Sequence, residues 1–139
     1  MKYYVVIDTN VIVSALMEKQ NDSNTVKVLK LFFAGDIIPL YSDEVVEEYK
    51  EVLSRPAFMI NKNKIGKFIN VLRTNGIFIE PQKLDIEMKD DDDIVFYELV
   101  MDKTITSNKY LITGNIKHYI KNPIIVTPDE FIKLVENKK

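Results

Sequence analysis

Acidic side chains stand at the ends of apolar segments in this sequence, where they could bind a cation. Asp8 follows the apolar run Tyr3–Ile7, and four consecutive aspartates, residues 90–93, precede the apolar run that begins at Ile94. Neighbouring carboxylates repel one another, and a bound cation would remove that repulsion. The alternative is that these residues only cap helices. Asp is a common N-cap, although a cap needs one carboxylate rather than four.

The register of the aspartate run determines which of its side chains could share a site. Asp90 and Asp93 are three residues apart, so they lie on the same face at the start of the helix that follows. Asp91 and Asp92 are expected to be solvated. Because the run is continuous, Asp92 could take the place of Asp93 as a ligand.

A further carboxylate, Glu48, lies in a segment with a clear helical pattern. Ser42 is a good N-cap for this helix, and Arg55-Pro56 predicts its end. The apolar stripe on one face consists of Val45, Val46, Tyr49, Val52 and Leu53. Glu47 points roughly opposite this stripe, whereas Glu48 lies at its border. Glu48 is therefore predicted to be a carboxylate at the edge of the core.

Helical segments alternate with five short strands along the chain. The strands are predicted at residues 3–7, 37–41, 77–79, 109–113 and 124–126. This alternation implies an α/β fold with crossover connections and a mainly parallel sheet covered by helices on both faces. Pro39 lacks the amide hydrogen that a central strand would use, so the second strand is predicted away from the centre of the sheet.

The carboxyl ends of parallel strands lie along one edge of the sheet, which is where open α/β folds bind ligands. Asp8 and Asn115 follow two of these strands, and the helices that carry Glu48 and Asp93 start from the same edge. Four oxygen donors could therefore converge in one crevice. Oxygen ligands without cysteine select Mg²⁺ or Mn²⁺ over zinc or copper. Such ions can assist the hydrolysis of a phosphodiester.

Length and composition narrow the range of functions. The 139 residues predict a single domain, 1–139, and the formal charge of −2 is unlike that of a strongly electrostatic nucleic-acid binder. The absence of cysteine fits a cytoplasmic protein, and no apolar run approaches the length of a membrane span, so no membrane contact is expected. The motifs G-x-S-x-G, G-x-G-x-x-G and the phosphate loop are absent from the sequence.

Two basic features have alternative interpretations. The segment 62–73 contains Lys62, Lys64, Lys67 and Arg73. A solvated helix face is the favoured interpretation, ahead of a phosphate-binding surface. His118 is the only histidine, and it is predicted to be a loop or helix residue rather than a ligand.

Four short motifs, taken together, resemble those of the PIN-domain family. They are Asp8-Thr9-Asn10 after the first strand, then Ser42 with Glu48, Leu53, Arg55 and Pro56, then Asp90 with Asp93 and the following Ile-Val-Phe-Tyr, and finally residues 111–115, Leu-Ile-Thr-Gly-Asn. The likeness is to the branch of toxin components of toxin–antitoxin pairs, and it extends from Tyr4 to about Ile132. Each motif alone is weak, whereas four in this order at these intervals are specific.

The resemblance implies a three-layer α/β/α sandwich with a five-stranded parallel sheet and a Mg²⁺- or Mn²⁺-dependent ribonuclease site. The residues that match the metal ligands are Asp8, Glu48, Asp90, Asp93 and Asn115. Asn10 and Thr113 match polar residues that line the site. Position 115 is often Asp in the wider family, and an amide there weakens a second metal site.

The main hypothesis is a metal-dependent endoribonuclease of single-stranded RNA, acting as a toxin. The resemblance also implies a homodimer and an antitoxin protein as partner. The alternative is a catalytically weak PIN domain that binds RNA or a protein, which Asn115 and the low basic content favour. The acidic set favours the nuclease, since a binding module gains nothing from mutually repelling carboxylates. A small-molecule phosphohydrolase would require Asp-x-Asp after the first strand, but residue 10 is Asn.

Overall fold

The structure, a computed structural model, describes residues 2–18, 22–88 and 91–137. Its strands are β1 (Tyr3–Ile7), β2 (Ile37–Tyr41), β3 (Ile77–Phe78), β4 (Lys109–Ile112) and β5 (Ile125–Val126). Its helices are α1 (Thr9–Met17), α2 (Asn24–Ala34), α3 (Asp43–Leu53), α4 (Lys62–Asn75), α5 (Asp91–Met101) and α6 (Pro128–Asn137). Short 3₁₀ turns are formed by Pro56–Phe58 and Ile116–His118.

The five strands form one parallel sheet in the order β3-β2-β1-β4-β5. The apolar run of β1 lies at its centre, where Val5, Val6 and Ile7 are buried. Pro39 in β2 pairs with Val5, one strand away from that centre, as predicted. The strand order also places the carboxyl ends of β1 and β4 side by side, because Ile7 is in register with Ile112.

Helices pack on the sheet and on one another. α1 contacts α2 and α2 contacts α6, while α3 contacts both α4 and α5. α5 packs on β1, β2 and β4, and aromatic rings join the helices, with Phe32 and Phe68 stacked at 4.9 Å. The predicted three-layer α/β/α fold with a five-stranded parallel sheet is thus confirmed.

The strand ends differ slightly from the prediction. β3, β4 and β5 are each one residue shorter than the sequence indicates. Hydrogen bonding nevertheless continues past two of these ends: the amide of Ile79 donates to the carbonyl of Tyr41, and that of Thr113 donates to the carbonyl of Val126. The last residue of an element is the least predictable part of it.

Side-chain capping determines where the site-bearing helices begin. The Ser42 hydroxyl accepts the amide hydrogen of Val45 at 3.2 Å, so α3 starts directly after β2. Asp8 caps α1 in a similar way, directly after β1. Of the helices in the described ranges, none is long and apolar enough to cross a membrane.

Candidate metal site at the carboxyl edge of the sheet

Asp8 is both a helix cap and a buried carboxylate at the end of the central strand. Its Oδ1 accepts the amide hydrogen of Asn10 at 3.1 Å, which satisfies the start of α1. Its Oδ2 accepts hydrogen bonds from the hydroxyls of Thr113 and Tyr119, both at 2.9 Å. Asp8 is only 4% exposed. Oδ1 of Asp8 therefore caps the helix, as the capping alternative predicts. Oδ2 instead binds the hydroxyls of two residues that follow β4, Thr113 and Tyr119.

The hydroxyl of Tyr119 lies between two acidic side chains. It is 2.9 Å from Asp8 Oδ2 and 3.4 Å from Asp93 Oδ1. The pKa of Tyr119 is raised well above its usual value, first by burial and then by the negative charges of Asp8 and Asp93. The hydroxyl consequently stays protonated at neutral pH, and its one hydrogen is donated mainly to Asp8, the nearer carboxylate.

Asp93 occupies the third position of α5 and is buried, with 9% of its surface exposed. Its second oxygen, Oδ2, is 3.3 Å from Nδ1 of His118. Asp92 is exposed on the same helix turn. In the described structure, Asp93 is therefore the more buried of the two acids, and it contacts the same hydroxyl as Asp8.

Glu48 completes the acidic lining of one cavity. The cavity has a volume of about 130 Å³. Its walls consist of Asp8, Thr9, Asn10, Glu48, Val52, Arg55, Phe58, Asp92, Asp93 and Phe96. Glu48 is half-buried, whereas its neighbour Glu47 is exposed, as the helical pattern predicts. Carboxylates from the end of β1, from the middle of α3 and from the first turn of α5 thus line the same space.

Arg55 is the positively charged residue of this cavity wall. Its guanidinium forms two hydrogen bonds to the Glu51 carboxylate, at 2.8 and 3.3 Å. The pKa of Arg55 is raised, mainly by this hydrogen bond to Glu51 and further by the charges of Glu48 and Asp92. A guanidinium beside a carboxylate cluster can bind a phosphate group at the same site.

The donor chemistry of the cavity fits a hard divalent cation. Asp8 and Asp93 are buried and converge on one point, the Tyr119 hydroxyl, and Glu48 lines the same space. Burying charged carboxylates close together is costly unless a positive charge or good donors compensate. Within residues 2–18, 22–88 and 91–137, however, no three acidic or histidine side chains are arranged as a ready-made metal-binding group.

Of the remaining predicted site residues, some line the cavity and others do not. Asn10 lines it, and Thr113 is fully buried behind Asp8. Asn115 is exposed and does not appear in the cavity wall; its backbone amide donates to the Thr113 hydroxyl at 3.0 Å. The predictions for Asp90 and for the side chain of Asp91 lie outside the described residues.

Three side chains at the site were not identified from the sequence as functional. Tyr119 and His118 were assigned no role, and Arg55 was taken as a helix end and as part of a family motif, without a role at the site. A signal was present for the first two, because they follow the strand that ends in Thr113-Gly114-Asn115. The 3₁₀ turn that folds them back over Asp8 and Asp93 is a tertiary feature with no clear sequence pattern.

Comparison with known proteins shows to which family the chain is similar. The model of the family described as "PIN domain" matches residues 4–117. An uncharacterized protein of Methanocaldococcus jannaschii is 32% identical over 152 aligned positions, which cover 98% of this chain and 94% of the relative. No solved structure gives a significant match.

Proposed function

The chain belongs to the PIN-domain family, and from this premise we propose that it is a Mg²⁺- or Mn²⁺-dependent endoribonuclease of single-stranded RNA. PIN domains are in general nucleases and generally use divalent metal ions.

The observation that supports the proposal best is the convergence of buried carboxylates. Asp8 and Asp93 both reach the same hydroxyl, and Glu48 lines the cavity that they share. We propose these three as the main metal ligands and catalytic acids. Asp90 and Asn115 remain proposed as additional ligands from the resemblance. When bound, a divalent cation would activate a water molecule and neutralise charge on the phosphate.

The cavity wall also offers groups suited to a single-stranded nucleic acid. Arg55 presents a guanidinium fork, which can bind a backbone phosphate by exchanging Glu51 for the phosphate. Phe58, half-buried in the wall, presents an aromatic ring on which a base could stack. Stacking requires an unpaired base, so these groups favour single-stranded RNA over a duplex.

The biological role is proposed from the sequence resemblance alone. We propose that the protein is the toxin of a toxin–antitoxin pair, acts in the cytoplasm as a homodimer, and is inhibited by an antitoxin protein. A neighbouring gene whose product co-purifies with this chain and blocks its cleavage of RNA would support that role.

A cleavage assay tests the nuclease proposal. Single-stranded RNA and a duplex of the same sequence are incubated with the purified protein in Mn²⁺, in Mg²⁺ or in a chelator. We expect metal-dependent cleavage of the single strand, and an Asp8→Asn variant slower by more than about 100-fold, since even losing an outer partner of a ligand costs up to that much. Binding of RNA without cleavage by the wild type would instead support the alternative, a binding module.

The Asp8→Asn variant also separates catalysis from folding. Asn is as good an N-cap as Asp, and the substitution removes one of several mutually repelling charges. We expect its melting temperature without metal to equal or exceed that of the wild type. A large fall would show that the role of Asp8 is structural.

A further inference from the structure

Tyr119 has a position that the nuclease proposal does not explain. We propose that Tyr119 is a positioning residue whose hydroxyl holds the carboxylates of Asp8 and Asp93 in the orientation that binds the divalent cation. This inference rests on the proposed function, because it concerns the same acidic site.

The first support is the contact geometry. The Tyr119 hydroxyl is 2.9 Å from Asp8 Oδ2 and 3.4 Å from Asp93 Oδ1, and the residue is 7% exposed. A hydroxyl has one hydrogen to donate, so it bonds mainly to Asp8 while remaining within reach of Asp93. One buried group thus links an acid at the end of β1 to an acid at the start of α5.

The second support is the way in which the chain holds Tyr119 in place. The 3₁₀ turn Ile116–His118 ends with the amide of Tyr119 donating to the carbonyl of Ile116 at 3.0 Å. At the other end of the segment, the Thr113 hydroxyl accepts from the Asn115 amide and donates to Asp8. The segment 113–119 is therefore fixed to Asp8 at both ends.

The third support is the role that such partners have at metal sites. Groups that hydrogen-bond to a ligating side chain fix its orientation, and their loss costs roughly 10–100-fold in metal affinity. The other oxygen of Asp93, Oδ2, is 3.3 Å from His118 Nδ1, which is an ion-pair distance and not a hydrogen bond. Asp8 also accepts a hydrogen bond from the Thr113 hydroxyl. Among the hydrogen bonds found in the described residues, however, only those of the Tyr119 hydroxyl reach both Asp8 and Asp93.

The test is the Mn²⁺ affinity of a Tyr119→Phe variant, measured by titration calorimetry on the whole chain without RNA. We expect the dissociation constant for Mn²⁺ to rise by about tenfold or more relative to the wild type. The control is Tyr3→Phe. The Tyr3 hydroxyl is also buried but has no hydrogen-bond partner within the described residues, so its removal should leave Mn²⁺ affinity unchanged.

Two results would overturn the inference while leaving the nuclease proposal intact. Equal Mn²⁺ affinity of the wild type and Tyr119→Phe would show that the hydroxyl positions nothing. Tighter binding by the variant would show that the hydroxyl competes with the cation. Failure of the wild type itself to bind Mn²⁺ would instead overturn both the inference and the proposed function.

A double-mutant cycle provides a readout that does not depend on metal. Tyr119→Phe is introduced into the wild type and into Asp8→Asn, and the melting temperatures are compared without Mn²⁺. If the hydroxyl acts through the Asp8 carboxylate, its loss should lower the melting temperature more in the wild type than in Asp8→Asn. Equal changes in the two backgrounds would contradict the inference.

Discussion

The two ends of α5 each contain a buried carboxylate, and the two have different surroundings. Asp93, near the first turn, faces a cavity lined by Asp8 and Glu48. Glu98, near the last turn, is 3% exposed, and its Oε2 accepts the amide hydrogen of Leu84 at 2.7 Å. One acid is grouped with other acids, whereas the other is paired with a fixed backbone donor.

Glu98 attaches the segment that follows β3 to the helix. Besides the Leu84 amide, its Oε1 is 3.8 Å from Nζ of Lys83. Lys83 also pairs with Glu44, and this hydrogen bond is the main reason that the pKa of Lys83 is raised. Glu98 therefore joins α5 to the 79–88 segment, and through Lys83 to α3.

The comparison shows that burial alone does not identify a functional acid. A buried carboxylate with a backbone donor and a nearby ammonium group is compensated within the protein. A buried carboxylate that shares a cavity with others is best compensated by a bound cation. We therefore expect opposite effects when each acid of α5 is replaced by its amide. Replacing Asp93 should reduce activity but not stability, and replacing Glu98 should reduce stability but not metal binding.

The largest effect is expected for Asp93→Asn. This substitution removes a proposed ligand, so RNA cleavage should fall by more than about 100-fold. The melting temperature without metal should not fall, because one repelling charge has been removed. The measurements are initial cleavage rates in Mn²⁺ and thermal melting in a chelator. Cleavage at the wild-type rate would place the metal site elsewhere.

A comparable loss is expected for Glu48→Gln, with Glu47→Gln as its matched control. Glu48 lines the cavity, whereas Glu47 is exposed on the other side of α3. We expect Glu48→Gln to inactivate cleavage and Glu47→Gln to retain it. Similar activity in the two variants would rule out Glu48 as a ligand.

The smallest effect on activity and a clear effect on stability are expected for Glu98→Gln. The variant loses the charge that attracts Lys83 and buries an amide group without an obvious acceptor. We expect its free energy of unfolding to fall by about 1–3 kcal/mol, with little change in Mn²⁺ affinity. Denaturant unfolding and Mn²⁺ titration would measure the two effects. A loss of Mn²⁺ affinity as large as that of Asp93→Asn would remove the distinction between the ends of α5.

The sequence alone was sufficient to predict the fold and the places that Asp8 and Glu48 occupy in it. The unbroken apolar run of β1 predicted a central strand, and Asp8 at its end followed from that. Glu48 was separated from Glu47 by helical periodicity, and the structure shows the same separation. These inferences succeeded because the apolar run of a buried strand and the phase of a helix are local patterns in the sequence.

The features that could not be predicted depend on contacts between distant segments. Tyr119 is 111 positions from Asp8 along the chain, and Glu98 is 14 positions from Leu84. Glu98 lies in an otherwise apolar run, and the sequence does not indicate which group compensates its carboxylate there. Its backbone partner comes from a segment without regular secondary structure, which leaves no periodic signal in the sequence.

The central claim is that Asp93, unlike Glu98, belongs to a site that binds a divalent cation. The most direct test is thermal melting of the wild type, Asp93→Asn and Glu98→Gln with and without millimolar Mn²⁺. At a hundredfold excess over its dissociation constant, a cation that binds only the folded chain adds about 2.7 kcal/mol of stability. For a domain of this size that is a rise of roughly 8 °C. We predict this rise for the wild type and Glu98→Gln and its loss in Asp93→Asn. No rise in the wild type would contradict the account.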